Sequence, residues 1–229
     1  MALWVFAAVG CQHNRPALTS LSAAAEEDPA PVLKARQAAD IRVALGRTLE
    51  KRGDLEQAQA AYLEALKEDP SRGDACARLA VLYDRQGKCA EAAEFYRRAH
   101  DLGADSPAFY VNQGYSFYLQ GRWADAEASL RQAIALDPAN PRAHNNLGLA
   151  LAHAGRADEA LAEFRRAGCT EAEAQSNLAF ALAVEGSWAE ARAHYEQALT
   201  LDPHAAQARK ALRDLDSLMA KTTPPPEDR

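Results

Sequence analysis

An asparagine holds the third place in each of three near copies of one segment: YVNQGYSFYLQG at 110–121, HNNLGLALAHAG at 144–155 and QSNLAFALAVEG at 175–186. An asparagine side chain offers a donor and an acceptor together, so a single residue can pair with the N–H and the C=O of an extended backbone. Asn112, Asn146 and Asn177 are therefore suited to recognition rather than to bond-making. The groups that make or break bonds are present but scattered. Cys11, Cys76, Cys89 and Cys169 include no pair at CxxC spacing, which argues against a zinc knuckle and a thioredoxin-type motif. A disulfide framework would be denser in so small a chain, and the last three cysteines read as small apolar or surface positions. His13, His100, His144, His153, His194 and His204 do not pair at ligand spacing with acids or cysteines, and all six read as surface residues. There is no HExxH, no phosphate-binding glycine loop and no nucleophile elbow. The chain is expected to be non-enzymatic, with no catalytic residues, no metal and no cofactor.

The elements that position the asparagines follow a ruler. Gly46, Ala80, Gly114 and Gly148 are each 34 residues apart, and Ala179 follows after 31. Gly53, Gly87, Gly121, Gly155 and Gly186 run parallel to them, as do Ala58, Ala92, Ala126, Ala160 and Ala191, and then Ala65, Ala99, Ala133, Ala167 and Ala198. Between those alanines stands a large residue, such as Tyr62, Leu130 or Phe164. A period of this length predicts stacked repeats. Each unit reads as two helices. The first ends at a glycine that permits a tight turn with positive φ. The second carries a stripe of alanines, which allow close approach, and a large residue expected to fill the space between neighbouring units. Asp69-Pro70, Asp137-Pro138 and Asp202-Pro203 end second helices, because proline disfavours the helical region for its predecessor. Ser106-Pro107 and Asn140-Pro141 read as an N-cap and first helical residue.

This pattern resembles the tetratricopeptide repeat family, over units 39–72, 73–106, 107–140, 141–171 and 172–205. The resemblance implies an all-α fold: a right-handed superhelical solenoid of five antiparallel helix hairpins. Two departures stand out. Alanine replaces the first-helix glycine at Ala80 and Ala179, and the fourth unit is three residues short, so its second helix is expected to end early at Gly168. Residues 31–38 extend the first helix, so the repeat domain spans 31–205. Residues 206–220 read as an amphipathic capping helix over the last unit, and 221–229 as a disordered tail.

In this family the second, fifth, sixth, ninth and twelfth residues of each unit face a concave groove. Here that implies a charged N-terminal end, with Asp40, Arg47, Asp74, Arg78 and Asp84. Further on come amides and large apolar residues: Asn112, Tyr115, Tyr118, Asn145, Asn146, Leu149, Asn177 and Phe180. The pattern resembles the asparagine ladder with which long tetratricopeptide superhelices hold peptide backbones. Two readings of the asparagines stay open: they bind a peptide, or they tie adjacent first helices together. A carboxylate clamp for chaperone C-termini needs Lys and Asn at the fifth and ninth places of the first unit, where this chain has Val43 and Arg47. That subfamily is disfavoured. The expected partner is a protein or an extended peptide.

A net charge of −6 disfavours a nucleic-acid partner, which would want a basic stripe. The first eleven residues, MALWVFAAVGC, are too short to span a bilayer. They resemble the end of a bacterial lipoprotein signal, in which small residues precede a cysteine that is lipidated after cleavage. Ala8-Val9-Gly10-Cys11 occupy that motif, and residues 12–30 read as a flexible linker. Ala8 stands where leucine is usual, and no Lys or Arg precedes Cys11. Two readings again stay open. One is a protein lipid-anchored at Cys11 in a bacterial envelope, with Gln12 favouring the outer membrane. The other is a cytoplasmic adaptor with an unprocessed apolar N-terminus. A short repeat lipoprotein of this size resembles the pilotins of type IV pili and the tight-adherence pilus assembly proteins.

Overall fold

The computed structural model describes residues 31–222, with side chains over 34–221. Cys11, the linker expected at 12–30 and residues 223–229 lie outside the described residues. The helices pair as α1 (Pro31–Arg52) with α2 (Leu55–Glu68), α3 (Gly73–Arg85) with α4 (Cys89–Asp101), and α5 (Pro107–Leu119) with α6 (Trp123–Leu136). Next come α7 (Pro141–His153) with α8 (Ala157–Arg166) and α9 (Glu171–Val184) with α10 (Trp188–Leu201), followed by the single helix α11 (Ala206–Thr222). Among the described residues there is no strand. The architecture is a solenoid of five hairpins closed by α11, which runs two residues past the expected cap.

Local chemistry sets the boundaries. At Gly155 φ is +74°, and the turn it makes lets the Arg156 N–H reach the Leu151 carbonyl at 2.9 Å. That bond satisfies a carbonyl the helix end leaves open. The Ser106 hydroxyl accepts from the Phe109 N–H at 3.2 Å, and the Asn140 side-chain oxygen from the Ala143 N–H at 3.1 Å. Thr170 and Glu173 form a reciprocal capping box at the start of α9. Asp69, Asp137 and Asp202 leave helical geometry where proline follows.

The core repeats with the ruler. Ala58, Ala92, Ala126, Ala160 and Ala191 are all fully buried. The large residue of each second helix lies closer to home than the sequence suggests: it packs first within its own hairpin. A Cβ placed on Gly148 would come within 2.6 Å of the Phe164 ring, and one on Gly46 or Gly114 equally close to Tyr62 or Leu130. The glycines are spaces for those side chains. Tyr96, opposite Ala80, also turns outward to the next unit, where its ring meets Phe109 edge-on at 5.9 Å. The short fourth unit shows its cost at Ala167. α8 has 10 residues where α2, α6 and α10 have 14, and Ala167 falls after its end, half-buried where its four counterparts are buried.

Ala126 has no room for a larger residue, because the Ala126 carbonyl lies 3.2 Å from where a Gly114 Cβ would sit. Ala126→Trp is expected to lower stability by about 1–3 kcal/mol through overpacking. A urea unfolding midpoint equal to wild type would show that α5 and α6 are not in close contact there.

Candidate protein-binding groove

The first helices α1, α3, α5, α7 and α9 line one surface, and its two ends differ in chemistry. At the N-terminal end Arg47 reaches Asp74 at 3.1 Å, and Arg72 binds both Asp74, at 3.0 Å, and Asp40. Asp74 is held below the usual carboxylate range: burial pushes it up, but the Arg72 hydrogen bonds and charge outweigh that. Deeper in, Glu50 has only 7% of its side chain exposed. Its Oε2 accepts from Arg78 Nε at 2.8 Å and from the Tyr62 hydroxyl at 3.0 Å. Burial first, and the Glu50 charge second, push the Tyr62 phenol up to about 12.

Two clefts open along this stretch. One of about 740 Å³ is bordered by Arg47, Lys51, Arg78 and Asn112, and one of about 500 Å³ by Arg85, Asn112, Tyr115 and Arg142. Arg47 and Arg78 are paired, but Lys51, Arg85 and Arg142 have no ion-pair partner among the described residues. The single carboxylate of the second cleft, Asp84, accepts from the Tyr96 hydroxyl at 3.0 Å and the Ser116 hydroxyl at 2.8 Å. Burial raises its pKa, and the two hydroxyls only partly offset that. A raised carboxyl pKa means that the folded chain keeps this proton at pH values where the unfolded chain has lost it. Stability from this group therefore falls as pH rises from the ordinary value of 3.8 through the raised one. Asp84→Asn removes that loss, so its stability relative to wild type is expected to climb over this window. Chemical denaturation at a series of pH values checks this, and a constant difference would refute it.

The middle of the groove is aromatic. Tyr115 is 42% exposed and stacks on Tyr118, with ring centroids 5.9 Å apart. The Tyr118 hydroxyl meets His153 Nε2 at 3.0 Å, and His153 Nδ1 meets Glu185 at 2.7 Å. An imidazole donating from Nδ1 to Glu185 leaves Nε2 to accept the phenol. Trp123 stacks on the imidazole at 4.4 Å, so α5, α6, α7 and the residue that caps α9 are joined through one ring. Toward the C-terminus Phe180 is 53% exposed, Leu119 and Val184 are exposed on the same series of helices, and Leu149 is half-buried.

The amides divide. Asn177 Nδ2 donates to Asn145 Oδ1 at a long 3.5 Å and lies 3.6 Å from Cys169 Sγ. Asn112 and Asn146 are half-buried and hydrogen-bond to no described side chain. So the three asparagines at the repeated position do not bond to one another, and among the described residues the one amide-to-amide bond between first helices runs from Asn177 to Asn145.

The histidines require a correction, since they do not all lie on the surface. His144 and His153 are buried and His194 is half-buried. His144 Nδ1 meets Glu163 at 2.6 Å while its Nε2 meets the Pro138 carbonyl at 3.0 Å. His194 Nδ1 meets Gln175 at 2.7 Å, and burial lowers its pKa. The ruler contained this signal: Gln175 stands 31 residues after His144 and His194 stands 31 after Glu163, so one bridge is written twice with its partners exchanged. Among the described residues no cluster of His, Cys, Asp and Glu is placed to hold a metal ion, and no helix is long and apolar enough to cross a membrane.

A stack of helix hairpins with an open, chemically graded inner surface defines a repeat scaffold of the protein-interaction class. The chain belongs to the tetratricopeptide repeat family: profiles described as tetratricopeptide repeat match residues 43–107, 111–174 and 172–205. It is 35% identical over 103 residues to the type IV pilus assembly protein PilF of Pseudomonas aeruginosa. That match spans 44% of this chain and 40% of the relative's length. The solved structure of Pseudomonas aeruginosa PilF superposes with a TM-score of 0.58 at 27% identity, covering 81% of this chain and 90% of that one. The fold is also shared with YrrB, described as a tetratricopeptide repeat protein with an unusual peptide-binding site. There the TM-score is 0.60 at 24% identity, over 80% of this chain and 97% of that one. PilW, a type IV pilus biogenesis factor, gives a TM-score of 0.60 at 23% identity, over 83% of this chain and 96% of that one.

Proposed function

We propose that this chain is a non-catalytic scaffold that holds an extended segment of a protein partner along the concave groove, in the assembly of a pilus or a related envelope machine. The observation that carries the reading is the series of exposed apolar side chains, Tyr115 and Phe180 foremost, beside the unpartnered amides of Asn112 and Asn146. Lys51, Arg85 and Arg142, which have no ion-pair partner among the described residues, add a preference for acidic side chains at the N-terminal end of the groove. The pilus role is supported by the resemblance to PilF, and attachment to the envelope through a lipid on Cys11 is part of the same reading.

The test compares wild type with Asn146→Ala and Phe180→Ala in the chain's own host, counting surface pili and identifying partners by crosslinking through the groove. For an isolated partner peptide, Asn146→Ala is expected to weaken binding by about 0.5–1.5 kcal/mol, the worth of a neutral hydrogen bond, whatever the peptide's side chains. Phe180→Ala is expected to change which peptides are preferred. Unaltered affinity with a lowered melting point would assign Asn146 to the stack and remove the groove reading. Cys11→Ser is expected to shift the protein out of the membrane fraction, and identical fractionation of the two forms would favour a cytoplasmic adaptor.

A further inference from the structure

Each first helix after α1 meets the hairpin before it through a recurring set of positions. In α3 these are Ala75, Leu79 and Leu82, and in α9 Ala174, Leu178 and Ala181. All six are buried in cores shared with the preceding hairpin. The equivalent positions in α1 are Ile41, Leu45 and Thr48, and they are exposed, Ile41 by 71% and Leu45 by 50%. At the other end of the stack α11 buries Ala208 and Leu215 in the core of the last hairpin. Among the described residues nothing covers the α1 stripe.

We propose that this stripe of α1 docks an amphipathic helix of a partner protein, one whose apolar residues are flanked by Asp and Glu. The repeat itself defines the shape of the occupant. Wherever these positions are covered, the cover is a helix of a neighbouring hairpin, which presents apolar residues at helical spacing. Charge defines the flanks. α1 carries six Lys or Arg against two Asp or Glu, within a chain whose net charge is −6. Both acids are engaged, Asp40 by Arg72 and Glu50 by Arg78, and of the cations Arg42 pairs with Glu68 and Arg47 with Asp74. Arg52 continues the stripe beyond Thr48 and has no ion-pair partner among the described residues. A carboxylate-flanked helix would pair with Arg52 at an exposed edge of this basic helix, where complementary charge steers association and fixes register. A second copy seated on the same face would bring two equally basic helices together, which costs free energy.

This surface lies outside the concave groove, so it stands or falls separately from peptide binding there. The experiment uses the full chain and a fluorescein-labelled synthetic helix of Leu, Ala and Glu with leucines at helical spacing, beside a counterpart with Lys for every Glu. Anisotropy is expected to rise with the acidic helix and to require about tenfold more protein for the basic one. Leu45→Asp is expected to weaken the acidic helix by a similar factor, Leu45→Ala by less, and Phe180→Ala in the groove not at all. Because Leu45 is half exposed, neither change at that position should alter the melting midpoint. Absence of binding, equal binding of the two helices, or indifference to both Leu45 variants would overturn the proposal. So would a wild-type dimer in sedimentation that Leu45→Asp dissociates, which assigns the face to a second copy. Tighter binding after removal of residues 1–30 would assign it to the chain's own N-terminal segment, with the same consequence.

Discussion

Phe164→Ala is expected to destabilise the solenoid by about 3–5 kcal/mol, the range for emptying a large aromatic site in a packed core. The ring is fully buried and occupies the space that Gly148 leaves open. In a solenoid each unit depends on its neighbours, so the loss is expected to uncouple α7–α8 from the units on either side. Urea denaturation should show a lower midpoint and a broadened or split transition. A cooperative transition at the wild-type midpoint would show that the glycine pocket closes around the smaller residue.

Glu50→Ala is the second large effect, expected at about 3 kcal/mol. That is the low end of the range for breaking a buried pair, because Arg78 keeps part of its hydration. The substitution strips the acceptor from the buried Tyr62 hydroxyl and from the Arg78 guanidinium together. Glu50→Gln keeps an oxygen for one of them and is expected to cost less. Two further readings follow from the same geometry. The Tyr62 phenol, raised to about 12 mainly by burial and then by Glu50, is expected to titrate lower in Glu50→Ala, by ultraviolet absorbance. Freed from Glu50, Arg78 adds to the unpaired cations of the 740 Å³ cleft, so acidic peptides are expected to bind more tightly even as the fold weakens. If stability, phenol titration and peptide affinity all match wild type, Glu50 does not organise this end of the groove.

Why these two positions matter differs in kind. Phe164 stands on a ruler of repeated residue types, and the need for a large side chain opposite a glycine is visible once the period is seen. Glu50 stands at the twelfth place of the first unit, where the next two units have Asp84 and Tyr118. The acid recurs only once, as Asp84, which takes the Tyr96 hydroxyl as Glu50 takes that of Tyr62. Its importance comes from which hydroxyl and which guanidinium the packing delivers to it.

The same division runs through the whole chain. Hairpin number, helix ends and the stripe of close-contact alanines were determined by the sequence alone, because each rests on local rules: proline's effect on its predecessor, glycine's tolerance of positive φ, a side-chain oxygen capping a free N–H. Only the tertiary structure decided that His153 is buried between Tyr118 and Glu185, and that among the described residues Asn177 turns to Asn145 while Asn146 has no side-chain partner and Ile41 and Leu45 are left uncovered. Those outcomes join residues about thirty positions apart. They depend on the angle and distance at which one hairpin settles on the next, and that geometry is set by the summed packing of the stack rather than by any short segment of the chain.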